Sequence, residues 1–493
     1  MMDNAKEERY KKLLEGCESA MLHLSGMIQG HGALVRIDRG SMRITHTSQN
    51  VNDILGIDYS DALGKRPDFL GLGLEEIISK MSESVGVLNE IQIKKDGTLY
   101  DVSLYTDVGG VIAEFERSPD FFINPRRLTE IRYDFFKTPD TNSEFNAQCE
   151  RLVGYIREIT GFERVMLYRF LPDWSGEVTA ESVGGAMGSY LGLRLPASDI
   201  PAITRNLYML NPSRYIYDTD GESVPVVALD EATIDLTYSG LRSVAPVHVE
   251  YLSNMGVKSS FSIPVKSLGG LWGMVACHAS APVVLSHKAR AYCIEVVKNY
   301  SVSVSSYRTA QKMKALDGME MNLNELLGSV KNYRSIQTWV IENGKTVLGL
   351  FGASGFAMAI DDETLTVGKT PDISFINNLK DNMTEHLLMS DSLGVLFKGE
   401  EVDITSAGAL AIQTKTSGKQ DLFMCWFRPE EPYEVQWAGN PDKPVSEDVA
   451  AIALSPRKSF DKWVEVRRGY CRPWSGEDRT IAYKLINILP RWI

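Results

Sequence analysis

Paired cysteines are missing from this chain. It has six in 493 residues (Cys17, Cys149, Cys277, Cys293, Cys425 and Cys471), and no two lie close together. That scatter excludes a disulfide framework and a zinc pattern. An apolar leader is missing too. The N-terminus MMDNAKEERYKK is polar with no apolar stretch behind it, so it does not read as a signal peptide. No run is long and apolar enough to span a bilayer. With free thiols and no leader or anchor, the expected location is the cytoplasm. Positive charge is in deficit. The net charge of −12 argues against a nucleic-acid binder, because phosphate recognition needs a basic face. A small anionic ligand stays open, since a few local arginines suffice for it. The marks of familiar enzymes are absent as well: no Walker lysine loop, no Gly-x-Ser-x-Gly elbow, no His-Glu-x-x-His and no kinase signature. Gly71-Leu72-Gly73 has no third glycine at the dinucleotide spacing. There is no internal repeat and no low-complexity tract.

What the chain does have is an ordinary globular composition, 44% hydrophobic and 24% charged. Its length predicts about three domains. Residues 33–115 read as a small α+β domain, with strand patterns at Ala33–Ile37 and Thr98–Leu104. A boundary is expected between Arg117 and Pro125. From about Thr141 a helix begins, carried by Phe145, Cys149, Leu152, Val153 and Ile156. Val165–Phe170 reads as a buried strand. Ser260–Val265 and Leu271–Cys277 read as paired strands whose turn includes Gly269-Gly270. A proline-free helical stretch runs roughly from His287 to Ser329, long enough to bridge two domains or form a dimer seam; a bent pair of core helices is the alternative. The third region, from about Thr338, has strand-like segments at Thr346–Gly352 and Leu422–Phe427. Residues 428–477 hold Trp437, Trp463, Trp474 and six prolines, an excursion of the kind that carries function or an interface.

Several constellations carry chemistry. Cys17 is followed by His23, Gly26, Gln29, His31 and Gly32, and a lone thiol near a terminus can be a nucleophile or simply exposed. Asp199 sits in Pro-Ala-Ser-Asp-Ile-Pro, where it can cap a helix beginning near Pro201 or face a ligand. Arg214 and Arg242 can hold carboxylates in bidentate geometry, or form surface salt bridges. His248 in Ala-Pro-Val-His-Val-Glu-Tyr and His278 after Val275-Ala276-Cys277 are core histidines or proton-exchanging ligand contacts. Neither has metal-site spacing.

In order along the chain, these motifs resemble the photosensory core of bacteriophytochromes. The resemblance rests on residues 17–32, 196–201, 242–256 and 271–278. It rests also on Trp437-Ala438-Gly439, Pro456-Arg457-Lys458-Ser459-Phe460 and Pro473-Trp474-Ser475. It implies an α+β fold of three domains, each an antiparallel sheet with flanking helices, linked by a long helix. The implied layout is an attachment segment over 1–32, a PAS domain over 33–120, a chromophore-binding GAF domain over 125–312 and a PHY domain over 313–493. A PHY hairpin, the tongue, spans about 435–477 and reaches the GAF pocket.

The resemblance also implies roles. Cys17 forms a thioether with ring A of biliverdin. The position before His248, where plant and cyanobacterial relatives carry the attaching cysteine, is Val247 here, which favours biliverdin over more reduced bilins. Asp199 and Ile200 border the pyrroles, and His248 holds the pigment's proton. Arg214 and Arg242 pair with the propionates, with Tyr208, Ser260 and Ser262 adding hydrogen bonds. His278 bonds the ring D carbonyl, and Tyr168 and Tyr251 surround that ring. Arg457 reaches Asp199, with Ser459, Trp437 and Trp474 as further signalling positions. Light isomerises the C15=C16 bond and the tongue refolds, a bistable element biased by a local change. The implied protein is a homodimer through its GAF domain and long helices, serving an output domain or response regulator. It is not itself an enzyme, and neither nucleic acid nor membrane is a partner. Ser25, Gly30, Leu195 and Ala279 depart from the family's pattern. Those departures motivate the alternative, a PAS–GAF sensor or binding module without photochemistry.

Overall fold

A computed structural model describes residues 22–492, apart from positions 87, 186, 231, 331, 362, 398–403, 417 and 442–459. Cys17, Arg457 and Ser459 therefore lie outside the described residues. The chain forms two compact units. The first runs to Tyr307 and takes in Gln436–Trp463; the second holds Arg308–Val435 and the chain from Val464 onward.

The first unit contains two sheets. Strands β1 (Met27–Gln29), β2 (Gly32–Asp38), β3 (Arg43–Ser48), β4 (Leu88–Lys95), β5 (Thr98–Thr106) and β6 (Gly110–Arg117) belong to one. Strands β7 (Arg164–Phe170), β8 (Gly176–Val183), β9 (Arg194–Leu195), β10 (Arg214–Ile216), β12 (Ser259–Ser267) and β13 (Gly270–Ala279) belong to the other. Strand β11 (Ser223–Ala228) falls between β10 and β12 in sequence but joins the first sheet, whose order is β1-β11-β3-β2-β6-β5-β4. The second sheet runs β10-β12-β13-β7-β8-β9 and continues into Tyr433–Ala438, where Trp437 pairs in parallel with Arg194. The other pairs recorded in these sheets are antiparallel.

The hairpin β12–β13 turns at Leu268 and Gly269, both at positive φ (52° and 79°), the two-residue geometry whose twist matches paired strands. Helix α1 (Asn142–Thr160) opens with the Thr141 hydroxyl accepting from the Glu144 N–H, and closes at Gly161 in the left-handed region. Its Leu152, Val153 and Ile156 pack with Val165, Phe261 and Val275 of the sheet. Cys293, Val297 and Tyr300 of the 44-residue helix His287–Val330 join the same core. That stretch is one continuous helix, not a bent pair. No helix among the described residues is long and apolar enough to cross a membrane. The five described cysteines are buried free thiols.

The second unit is built on β14 (Gly355–Ile360), β15 (Glu363–Gly368), β16 (Leu387–Ser390), β17 (Gly408–Lys415) and β18 (Asp421–Arg428), in the order β15-β14-β18-β17-β16. Side chains alternate across a strand. Leu422, Met424 and Trp426 therefore meet one core, and Phe423, Cys425 and Phe427 the other. Thr346–Gly352 corrects the strand expected there: Gly344–Gly349 is a short helix, directly after the helix Ile336–Glu342. A short apolar run reads alike as a strand or a buried helical turn. Packing decides here, because Val347 is buried and its carbonyl accepts the Trp426 indole N–H at 2.9 Å.

Candidate functional site

The candidate site is a cavity of about 330 Å³ in the first unit, within the range of small-molecule pockets. Its floor comes from β7, β12 and β13, whose Tyr168, Ser260, Ser262 and His278 face it. The loop after β9 brings Asp199 and Ile200. Helix α2 (Ala202–Leu210) brings Tyr208, and helix α3 (Pro246–Asn254) brings His248 and Tyr251. Arg214 opens β10, and Arg242 precedes α3. The chain thus gathers residues far apart in sequence around one space.

The arginines are the strongest electrostatic feature. Neither forms an ion pair with a carboxylate among the described residues. Arg214 donates to the carbonyls of Gly240 (3.2 Å), Ser243 (3.1 Å) and Arg242, and Arg242 donates to those of Leu236 (3.0 Å) and Thr237 (3.1 Å). Burial, with Arg242 close by, pushes the Arg214 guanidinium down to about 9. Two desolvated cations side by side favour an anion between or beside them. Surface salt bridges, the bland reading of both, are not what the structure contains.

His248 opens onto the cavity, yet the surrounding protein and Arg214 push its imidazole down to about 4, so it is neutral at pH 7. It stacks on Tyr251 with ring centroids 5.8 Å apart. The Tyr251 hydroxyl donates to the Asp199 carboxylate at 3.0 Å. Asp199 does not cap α2, whose N-cap is Pro201 with no side-chain bond; Asp199 ends a single 3-10 turn instead. Tyr208 and Ser262 share a hydrogen bond of 2.6 Å. Leu195 is buried beside Tyr168 and Met274.

Two described residues of the 436–463 stretch, Ala438 and Phe460, pack against the apolar wall formed by Tyr168, Leu195 and Met274. Phe460 sits edge-on to Tyr251 (5.2 Å) and near Tyr190 (6.4 Å), and Ala438 joins the same apolar cluster. Trp437 is buried in this unit. Trp474 belongs to the second unit, where the Arg428 guanidinium lies 3.7 Å over its ring and pairs with Asp478 at 3.1 Å. The two tryptophans singled out together thus fall in different units.

Sequence reasoning missed two supporting side chains, Glu114 and Arg164, and named a third, Gln29, without a role. Glu114 of β6 accepts from the Ser239 hydroxyl and from the N–H groups of Gly240 (3.1 Å) and Leu241 (3.3 Å), fixing the loop that carries Arg242. Gln29 of β1 bonds the Tyr215 carbonyl at 3.1 Å and the Tyr217 N–H at 3.2 Å, tying the N-terminal strand to β10. Arg164, 1% exposed, heads β7 and contacts His278. A charge at the head of the apolar run Val165–Phe170 was the available signal, because fully buried arginines are rare.

Comparison with known proteins agrees with this layout. Residues 17–118 match the PAS fold, 144–300 the GAF domain and 320–493 the phytochrome region. The chain is 31% identical over 495 residues to cyanobacterial phytochrome B of Nostoc, covering 96% of this chain and 65% of that protein. It is 29% identical over 500 residues to the bacteriophytochrome of Pseudomonas aeruginosa, covering 96% and 66%. The chain therefore spans just under two thirds of these relatives' length. Among solved structures, it resembles the bacteriophytochrome of the photosynthetic bacterium R. palustris with a TM-score of 0.81 at 28% identity, covering 95% and 96% of the two chains. The phytochrome photosensory core module of Stigmatella aurantiaca gives 0.82 at 28%, with the same coverage. Three matched domains in succession, relatives that align along nearly the whole chain and solved structures of the same fold make one statement: the chain belongs to the phytochromes, as a PAS–GAF–PHY photosensory core.

Proposed function

We propose that this module holds biliverdin in the GAF cavity and switches reversibly between red- and far-red-absorbing forms. The observation that carries the reading is the pair of arginines without carboxylate partners among the described residues, in a ligand-sized, largely apolar cavity. A linear tetrapyrrole with two propionates supplies both the apolar body and the missing negative charge. When bound, the pigment contributes light absorption and isomerisation about its C15=C16 double bond.

Arg214 and Arg242 hold the propionates, with Tyr208, Ser260 and Ser262 supplementing them. Burial is the larger cause of the low His248 pKa and repulsion by Arg214 the smaller; a propionate beside Arg214 relieves the second, which makes His248 a better proton holder with the ligand in place. Asp199 offers its backbone carbonyl to the pyrrole nitrogens while Tyr251 steadies its carboxylate. Tyr168, Tyr251 and Leu195 pack around the terminal ring, and His278 donates to its carbonyl. Cys17 adds its S–H across a vinyl double bond of ring A. Arg457, Ser459, Trp437 and Trp474 relay the change, and a homodimer passes it to an output partner.

The test is an absorption spectrum after mixing the purified protein with biliverdin, before and after red and far-red light. A band that shifts reversibly is the expected result, and absence of any bound pigment would overturn the reading. Binding without switching would support a sensor module without photochemistry and point to Leu195, the non-aromatic wall residue.

Asp199→Ala is expected to weaken photoconversion while leaving attachment intact. It removes the Tyr251 bond, of the class worth about 1.5–3 kcal/mol when one partner is charged. Normal photoconversion in that variant removes Asp199 from the mechanism.

A further inference from the structure

Arg164 lies behind the cavity wall. One arm of its guanidinium donates to the Gly188 carbonyl at 2.8 Å, and the other stands 3.0 Å from Nδ1 of His278. The same group lies 4.1 Å over the Tyr190 ring. His278 pairs in register with Arg164 across β13 and β7, so the sheet itself sets the two side chains together. A guanidinium has only donors. The imidazole nitrogen that meets it must therefore be the acceptor. Burial, Arg164 and His248 all hold the His278 imidazole well below its usual range, so the ring is neutral. A neutral imidazole with Nδ1 accepting carries its proton on Nε2.

We propose that Arg164 is a positioning residue that fixes His278 as the Nε2–H tautomer, so that this end of the cavity presents a hydrogen-bond donor and selects a ligand with a carbonyl oxygen there. The selection step rests on the pigment reading above; the tautomer does not. Without Arg164, Nδ1 and Nε2 would compete for the proton. Where Nδ1 wins the proton, Nε2 of His278 would offer a lone pair, which repels a carbonyl. Arg164 touches no ligand itself and acts only through His278.

The experiment is ring nitrogen NMR on the 15N-labelled protein without pigment, with His278→Gln used to assign the signal among seven histidines. The wild type is expected to show His278 protonated at Nε2 and bare at Nδ1, across pH 6 to 8 (about one unit either side of neutrality). A proton on Nδ1 overturns the proposal with no variant needed. Arg164→Met is expected to give a mixture of tautomers, and Arg164→Lys, which keeps a donor-only cation, to restore the single form. An unchanged tautomer in Arg164→Met at wild-type circular dichroism also overturns it. If the tautomer is as stated but biliverdin fails to bind, the pigment reading fails and the positioning role stands.

Discussion

Replacing Glu116 by alanine is expected to destabilise the first unit by about 3–5 kcal/mol, the scale for breaking a buried ion pair from one side. Glu116 is the next-to-last residue of β6 and is 8% exposed. Both its oxygens accept from the Arg290 guanidinium at 2.8 Å, one accepts from His287 Nε2 at 2.9 Å, and His31 Nε2 stands 3.4 Å away. The carboxylate thus joins the turn between β1 and β2, the first sheet and the start of the long helix. Alanine would leave Arg290 buried without its paired carboxylate, with only the weaker influence of Glu90 remaining among the described residues. Urea melts of the two proteins give the answer, and a difference under about 1 kcal/mol, the range of an exposed pair, would show that the cluster is not holding these elements together. The pH dependence carries a second signature. Burial alone would raise the Glu116 carboxyl, but Arg290, His287 and His31 hold it well below the usual carboxylate range. Its contribution is full above the unfolded carboxylate range and is lost as pH falls through and below it. Glu114, two residues away on the same strand, works in the opposite sense. Burial raises it to about 7, against its hydrogen bonds from the 239–241 loop. Between the unfolded carboxylate range and about 7, the folded chain keeps a proton that the unfolded chain releases, so stability falls as pH climbs through that interval. His248 and His278, held neutral in the fold, work against Glu114 over that interval, because the unfolded imidazoles bind a proton that the folded ones do not. Glu116→Ala should therefore flatten the loss of stability on the acid side and leave the pH dependence near neutrality unchanged.

Local signals made much of the fold legible. The hairpin Ser259–Ser267 and Gly270–Ala279 announced itself as two apolar runs around a glycine turn, and Thr141 and Gly161 bracket α1 as a cap pair should. The long helix needed only an unbroken proline-free stretch. What escaped was non-local. Strand β11 leaves the sheet of its sequence neighbours to pair with β1 and β3, a choice made by contacts nearly 200 residues apart, such as Ile28 with Val224. Gly344–Gly349 is helical because Trp426 and the surrounding core meet it there. The cavity residues came from the family resemblance rather than from spacing, since Arg214 and Arg242 each read alone as a surface charge. Glu114 and Arg164 stayed invisible because a buried charge is recognised by its partners, and those partners lie up to 127 residues away.

Neutralising both cavity arginines, Arg214→Met with Arg242→Met, is expected to lower biliverdin affinity by roughly 100-fold to 10,000-fold. Each charge-assisted bond to a carboxylate is worth about 1.5–3 kcal/mol, and two of them give about 3–6 kcal/mol, at 1.4 kcal/mol per factor of ten. Titration with pigment, using a chain in which Cys17 is also serine so that binding stays reversible, measures the loss. The stability of the pigment-free protein separates this from simple damage. Two terms oppose each other there. Methionine removes two desolvated, mutually repelling cations, which favours the fold. It also strips the carbonyls of Leu236, Thr237, Gly240, Arg242 and Ser243 of their donors, which costs about 1–3 kcal/mol for each one left buried and unsatisfied. Water entering the wider cavity can meet those carbonyls, so the expected loss of stability is small beside the loss of affinity. Equal affinity in the double variant and the parent would mean that the guanidiniums serve only the loop they hold. The anionic ends of the ligand would then have to sit elsewhere, and the assignment of Arg214 and Arg242 to the propionates would fall.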